Sequence, residues 1–175
     1  MVSIIVASPE VEIKKDFLLT LIGIFVMICQ YAFLGPFSTG GRRKSYTKEY
    51  LELNFGDVHK RYDIPIPVGG YPDYGNGWYS RKLSYKDWFE FNCYLRVHQN
   101  TLEYITVAVL AVFVTGIFSP ILSAILAGAW FVLRIFYIWR YVCGRTKGVE
   151  LFSYLSTLVI AVGFGFSLYN IFYHA

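Results

Sequence analysis

Three polar side chains in the middle of the sequence are spaced to share one face of a helix. Arg96, Asn100 and Glu103 stand at i, i+4 and i+7, which corresponds to about 10 Å of helical rise. Arginine presents a planar fork that fits a carboxylate, glutamate accepts from an ammonium group, and asparagine both donates to and accepts from an amide. Together they predict a site for a small zwitterionic, peptide-like ligand with at least one carboxylate.

A second polar face occurs further along the chain. Arg134, Tyr137 and Tyr141 stand at i, i+3 and i+7. The tyrosine hydroxyls can donate to a carboxylate or a thiolate, and the arginine adds a positive charge. A purely structural interpretation is also open, in which Arg96 pairs with Glu103 and the arginines of the second face extend to lipid headgroups. Spacing alone does not decide between the two interpretations.

Both polar groups adjoin long stretches that lack any charged residue. The chain of 175 residues is 55% hydrophobic and only 16% charged, whereas a soluble domain is about 25% charged. No Lys, Arg, Asp or Glu occurs in residues 17–37, 104–133 or 151–173. A helix needs about 20 apolar residues to cross the hydrocarbon layer of a bilayer. The composition therefore excludes a soluble α/β fold and a disordered chain, and it predicts an integral membrane protein.

The longest uncharged run is divided at Ser119-Pro120, because proline opens a helix better than it continues one. Helices satisfy their own backbone groups in lipid, so we predict an all-α integral membrane protein with a bundle of four transmembrane helices in a single membrane domain. The predicted spans are residues 17–35, 88–118, 120–142 and 151–173.

The first connection, residues 37–87, is long and contains nine Lys and Arg residues. The third connection adds Arg145 and Lys147. An excess of basic residues marks the cytoplasmic or matrix side, so these two connections are predicted to share that side, opposite both termini. Within the long loop, residues 45–59 form either a short helix on the membrane surface or a plain ordered loop. This loop is the predicted surface for contacts with other membrane subunits.

Other classes of site are poorly supported by the residues present. The formal net charge of +4 is too small and too scattered for a nucleic-acid-binding protein. The histidines and cysteines form no C-x-x-C pair, zinc motif or disulfide framework, and no metal site is proposed. These residues are spread along the sequence: Cys29, Cys93, Cys143, His59, His98 and His174.

The chain resembles the MAPEG family (membrane-associated proteins in eicosanoid and glutathione metabolism) in two stretches. These are FNCYLRVHQNTLE at residues 91–103 and GAWFVLRIFYIWRY at residues 128–141. Within the family, the first stretch is most similar to the microsomal glutathione S-transferase 3 branch. The resemblance covers residues 93–173 well and the first span by position only.

The resemblance implies four-helix subunits that assemble as homotrimers in the endoplasmic reticulum or the mitochondrial membrane. Glutathione, the co-substrate, would lie between neighbouring subunits near the cytosolic membrane surface, and no metal is implied. By this resemblance the glutathione site is lined from the second and third spans by Arg96, Asn100, Glu103, Tyr104, Arg134, Tyr137 and Tyr141.

Family enzymes usually carry a basic residue at the start of the fourth helix, where it stabilises the glutathione thiolate. Arg145 and Lys147 are the last basic residues of this chain and are the candidate catalytic residues, although neither falls cleanly at that position. A thiol with a pKa of about 8.5 is only a few per cent ionised at pH 7 without such help. Arg140 also stands where the family usually has a glycine between the two tyrosines.

Two functions therefore remain open from the sequence. The first is a membrane-bound glutathione transferase or peroxidase, which conjugates or reduces lipophilic electrophiles or lipid hydroperoxides. The alternative is a catalytically weak or inactive MAPEG-like accessory subunit of a larger membrane complex, for instance a mitochondrial respiratory complex. Retention of the candidate glutathione ligands favours the enzyme. The lack of a basic residue that falls cleanly at the activating position, together with Arg140, favours the accessory subunit, whose docking surface would be the long loop at residues 37–87.

Overall fold

The computed structural model describes residues 16–144 and 146–174, and these contain helices but no β-strand. Two short 3-10 turns, Val68–Gly70 and Ser80–Lys82, lie between the second and third α-helices. The five α-helices are α1 (Phe17–Ser45), α2 (Lys48–Tyr62), α3 (Tyr85–Phe118), α4 (Pro120–Val142) and α5 (Val149–His174).

Four of these helices, α1, α3, α4 and α5, are long and apolar enough to cross a membrane. The predicted all-helical membrane architecture is therefore confirmed. Large apolar side chains such as Phe25, Phe33 and Ile121 are exposed on the outside of the bundle, where lipid would cover them. The interior of the bundle is filled by a hydrophobic cluster that includes Met27 and Trp130, both fully buried.

The first span was predicted to end at Gly35, but α1 continues through Pro36 to Ser45. Proline removes one helical N–H and normally disfavours continuation. Here the hydroxyls of Ser38 and Thr39 both donate to the Gly35 carbonyl at 3.0 Å, so side-chain hydrogen bonds tie the turn that follows the proline. The helix therefore extends well beyond the apolar stretch.

The end of α1 is held against α3 by a close approach at Gly41. A Cβ atom at this position would lie 2.7 Å from the ring of Tyr94, so only glycine permits the contact. The last turn also carries three basic residues, whose positive charges interact favourably with the negative C-terminal end of the helix dipole. Two long helices thus project together from the apolar bundle on the loop side.

Of the two alternatives for residues 45–59, the helix is confirmed as α2. The Thr47 hydroxyl caps its first turn by accepting from the Tyr50 amide at 3.1 Å. The buried side of α2, including Leu51 and Phe55, packs with Phe91 near the start of α3. This face of α2 is thus occupied by contacts within the protein, whereas Leu53 and Tyr62 of the same helix stay exposed.

Asp73 organises the extramembrane segment, which we define as residues 46–84. Its buried carboxylate accepts from the amides of Gly75 (2.8 Å), Gly77 (3.0 Å) and Ser80 (2.9 Å), and from the Ser80 hydroxyl (2.7 Å). Burial alone would raise the pKa of Asp73, but these hydrogen bonds outweigh it and hold the pKa below its usual range. The carboxylate thus fixes the turns that precede α3.

A buried arginine ties the same segment to α1. Arg42 donates to the carbonyl of Gly69 at 3.0 Å and to the carbonyl of Asp73, and its guanidinium lies 4.0 Å from the centroid of the Tyr71 ring. Tyr46 completes the junction with a 2.6 Å hydrogen bond between its hydroxyl and that of Ser80. Burial raises the pKa of Tyr46 to about 12, so this hydroxyl stays protonated at neutral pH.

The spanning helices are joined in the membrane by a few hydroxyl contacts and by glycine. Ser123 of α4 donates to the Val112 carbonyl of α3 at 2.8 Å, and Thr115 of α3 donates to the Gly163 carbonyl of α5 at 3.0 Å. Small residues and hydroxyl groups at helix interfaces are typical of membrane bundles. These contacts set the register in which α3 and α4 present their polar faces to each other.

Candidate functional site

The site is centred on Arg134, whose side chain on α4 is fully buried. Its Nη1 donates to Oδ1 of Asn100 on α3 at 2.5 Å. Because α3 and α4 are joined at Ser119 and run antiparallel, residues at similar distances from that turn face each other. The two polar faces recognised in the sequence therefore meet at one level of the bundle.

Aromatic rings surround the guanidinium. Its carbon lies 5.4 Å from the ring centroid of Tyr104 and 5.2 Å from those of Trp130 and Tyr137, which is within the range of cation–π attraction. The ring of Tyr141 lies 5.0 Å from that of Tyr137. We call this group the arginine cluster, and its members are Asn100, Tyr104, Trp130, Arg134, Tyr137 and Tyr141.

The arginine cluster contains buried hydrogen-bonding atoms that have no partner. They include Nε and Nη2 of Arg134 and Nε1 of Trp130, and within the described residues Arg134 forms no ion pair with a carboxylate. A buried cation without a counter-charge is unfavourable, because it has lost its hydration shell and gains no anionic partner in return. The geometry is therefore that of a site for an anionic group.

Two residues next to this site were missed by the sequence analysis. Trp130 lies four residues before Arg134 and so on the same helix face, a spacing that would have revealed it. Gln30 lies in the middle of the first span, buried, and donates from Nε2 to the Phe131 carbonyl at 3.1 Å while its Oε1 has no partner. A polar residue inside an apolar span is the signal that would have identified it.

The remaining ligands predicted on α3 lie at the surface of the subunit. Arg96 and Glu103 are both exposed, and the proposed structural pairing is absent, because no described ion pair joins them. Arg96 is near enough to act electrostatically on Tyr137, and Glu103 on Arg134. They therefore border the arginine cluster on the exposed side of α3.

The length of α3 gives the depth of these residues. Its 34 residues extend about 51 Å, while the hydrocarbon layer is about 30 Å thick. Counting about 20 residues back from Phe118 places the loop-side edge of the hydrocarbon near His98. Glu103 is then exposed at the level of the lipid tails, and Arg96 lies just outside them.

Of the two candidate catalytic residues, Arg145 lies outside the described residues, and Lys147 is exposed in the turn before α5. The guanidinium of Arg140 donates to the backbone carbonyl of Lys147, so this arginine holds the α4–α5 connection instead of extending freely to headgroups. Within the described residues no hydrogen bond or ion pair joins Lys147 to the arginine cluster.

No group of three or more His, Cys, Asp or Glu residues that could hold a metal ion is present among the described residues. The polar atoms at the site are instead hydrogen-bond donors and aromatic rings. Such a set is suited to an organic anion.

A buried arginine ringed by tyrosines between two antiparallel spans defines a helical membrane protein with a polar site for a small anionic ligand. The chain belongs to the MAPEG family, whose model matches residues 17–169. No solved structure matches the chain. The family resemblance of the sequence is thereby confirmed, and with it a membrane protein of the glutathione and eicosanoid type.

Proposed function

We propose that this protein is a membrane-bound, glutathione-dependent transferase or peroxidase acting on lipophilic electrophiles or lipid hydroperoxides. The observation that supports it most is the fully buried Arg134, with two donor nitrogens that lack partners inside a ring of tyrosines. Glutathione supplies the carboxylates that such a site lacks. Within the family, the sequence of residues 91–103 favours the microsomal glutathione S-transferase 3 branch.

In this proposal Arg134 binds one carboxylate of glutathione, and Asn100 keeps the guanidinium in place through their hydrogen bond. The hydroxyls of Tyr104, Tyr137 and Tyr141 border the same space and donate to the ligand. Since Arg134 and Tyr137 are buried, the hydrogen bonds that they donate to the ligand are stronger than they would be at an exposed surface.

The exposed charges of α3 support a site shared between subunits. Glu103 lies at the level of the lipid tails, where an uncovered carboxylate is unfavourable. In a homotrimer a neighbouring copy covers this face, so that Glu103 accepts from the ammonium group of glutathione and Arg96 binds its second carboxylate. The ligand is thus held at both ends.

For the reaction, the thiol of glutathione must lose its proton before it attacks an electrophilic carbon or a peroxide oxygen. We assign the stabilisation of the thiolate to Lys147 and Arg145, the basic residues of the α4–α5 connection. The second substrate enters from the bilayer and meets a thiolate held at the membrane surface. Holding the two reactants close together then accelerates the reaction. Apolar outer faces of the bundle provide that route.

The test is calorimetric titration of glutathione into the purified protein in detergent. Replacing Arg134 by Met removes the charge and keeps most of the buried volume, and we expect glutathione to bind about 10- to 100-fold more weakly. Arg96→Ala should also abolish or greatly weaken binding. Arg61→Ala, an exposed arginine of α2 on the same side of the membrane, serves as the matched control and should bind like the wild type.

Thermal unfolding in the same detergent shows whether each variant is folded. Unaltered glutathione affinity in a well-folded Arg134→Met variant would contradict the proposed binding site. Absence of glutathione binding to folded wild-type protein would overturn the enzymatic proposal altogether. Turnover with an electrophile or a hydroperoxide is measured after binding, since the identity of the second substrate does not affect the titration.

A second candidate function is supported by the extramembrane segment. This segment has its own packed core around Tyr46, Leu51 and Phe55, yet it leaves Trp78 and Tyr62 about two-thirds exposed. Exposed aromatic side chains on an ordered surface are typical of contacts between subunits. We therefore keep the accessory subunit of a larger complex, such as a mitochondrial one, as the alternative. Mild solubilisation distinguishes the two, because a homotrimer supports the enzyme and a single copy among other subunits supports the accessory role.

A further inference from the structure

A cavity of about 380 Å³ lies at the loop-side end of α3 and α4. Its walls come from the first turns of α3 and from the residues that end α4. Both Cys93 and Cys143 line it, and so does Tyr141 of the arginine cluster. Two thiols that are 50 positions apart in the sequence therefore border one space beside the candidate glutathione site.

The register of the α3–α4 pair brings these cysteines to the same level. Ser123 contacts Val112, and Arg134 contacts Asn100, so a step along α4 is matched by a step back along α3. Extending this register to the end of α4 places Cys143 opposite residues 91 and 92 of α3, within one helical turn of Cys93. The cavity that both thiols line is the observation that brings them together.

The two thiols differ in accessibility. Cys143 is exposed and directly follows the last residue of α4. Cys93, in contrast, is buried on α3. Lys86, an exposed residue of the first turn of α3, also lines the cavity. Glu90, another lining residue, forms an ion pair with Lys44.

We propose that Cys143 and Cys93 form a dithiol site for exchange with glutathione disulfide. The thiolate of Cys143 attacks one sulfur of the disulfide, forms a mixed disulfide with glutathione and releases a glutathione thiolate. Cys93 then loses its proton to solvent and attacks the sulfur of Cys143, which releases the second glutathione and closes a bond between α3 and the end of α4. Both cysteines are oxidised, and glutathione disulfide is reduced to two molecules of glutathione.

The choice of oxidant rests on the proposed glutathione site, but the exchange requires neither turnover nor thiolate stabilisation by Lys147, so failure of the exchange and failure of the transferase activity are distinguishable. Glutathione disulfide carries the same carboxylates and ammonium groups that the adjoining arginine cluster suits. Tyr141 lines the cavity and also belongs to the arginine cluster, so the two sites adjoin. For this reason we assign a glutathione-containing disulfide as the oxidant.

The experiment incubates reduced full-length protein in detergent with glutathione disulfide, blocks the remaining thiols, and maps each cysteine by mass spectrometry. The wild type should end with a Cys93–Cys143 disulfide and an unmodified Cys29. Cys93→Ser should stop at the mixed disulfide, with one glutathione on Cys143. Cys143→Ser should lose the reaction, and Cys29→Ser, the matched control, should behave like the wild type.

Persistence of the mixed disulfide in the wild type, at the level seen in Cys93→Ser, would overturn the role of Cys93. Modification of Cys93 in Cys143→Ser at the wild-type rate would overturn the order of attack. A disulfide between two copies of the chain, visible on a non-reducing gel, would refute the intramolecular pair. Serine is close in size to cysteine, and thermal unfolding of each variant verifies that its fold is retained.

Discussion

At the scale of single residues, two charged side chains of the polar first connection, Arg42 and Asp73, are buried and hydrogen-bonded. Their positions in the sequence give no sign of this burial. Arg42 is one of nine basic residues in the first connection, yet it is buried against the backbone of Gly69 and Asp73. Asp73 in turn accepts four hydrogen bonds from the turns around it. Partners so distant in sequence are fixed by the fold, which explains why spacing does not reveal them.

Replacing Asp73 by Asn should destabilise the extramembrane segment by about 2 kcal/mol, because an amide cannot accept all four hydrogen bonds and one buried donor is left unpaired. Limited proteolysis of the protein in detergent measures this, and cleavage between α2 and α3 should become faster. Asp57→Asn, an exposed acid on α2, is the control and should leave the rate unchanged. Equal cleavage rates in both variants would contradict the role of Asp73.

The same carboxylate predicts a direction for the dependence on pH. The pKa of Asp73 is lower in the folded chain than its ordinary value of about 3.9. Its stabilising contribution is therefore complete above that ordinary value and is lost as the pH falls towards the folded pKa. Proteolytic resistance of the wild type at acidic pH should approach that of Asp73→Asn. If the difference in cleavage rate between the wild type and Asp73→Asn stayed constant down to strongly acidic pH, the protonation of Asp73 would not be linked to stability.

The candidate site shows what spacing could and could not predict. The i, i+3 and i+4 patterns placed Asn100 and Arg134 on two helix faces, and the structure brings those faces together. The same patterns left the structural pairing of Arg96 with Glu103 open, which the structure excludes within the described residues. Periodicity determines which residues share a face, but the packing of helices determines which faces are covered.

At the scale of helices, the close packing of α1 on α3 depends on glycine. A Cβ atom at Gly116 would lie 2.4 Å from Cγ2 of Thr20, which is too close for any relaxed contact. The sequence predicted the spans well because uncharged runs are unambiguous. It did not predict that α1 passes through Pro36, because the part of α1 beyond the proline packs on α3 at Gly41, a contact between residues far apart in the sequence.

Gly116→Ala should lower the stability of the bundle by about 1–3 kcal/mol, since the added methyl group forces α1 and α3 apart. The matched control is Gly128→Ala, because an added Cβ there meets no atom within 4 Å. Thermal unfolding of both variants in detergent measures the difference. Similar unfolding temperatures for the two variants would show that the α1–α3 contact tolerates a wider spacing.

At the scale of the whole molecule, the four spans place the connection from α1 to α3 and the connection from α4 to α5 on one side of the membrane. The opposite side holds the turn at Ser119 and the start of α1. From the basic residues of the first connection we predict that this face is turned towards the cytoplasm or the matrix. On that prediction the arginine cluster and the two cysteines lie nearest to the same compartment.

Cysteine labelling tests this topology in a variant whose three native cysteines are replaced by serine. Asn76→Cys and Ser119→Cys are introduced separately, and sealed vesicles are treated with a membrane-impermeant maleimide. We expect one site to react in intact vesicles and the other only after the vesicles are opened. Reaction of both sites from the same side would contradict the arrangement of the four spans.

The continuity of α3 has a mechanical consequence. Leu95 belongs to the packed core beneath α2, and Asn100 belongs to the arginine cluster, only about 7.5 Å further along the same unbroken helix. A helix is stiff over so short a distance. A partner that binds the extramembrane segment would therefore contact the same rigid stretch of helix that holds Asn100 against Arg134.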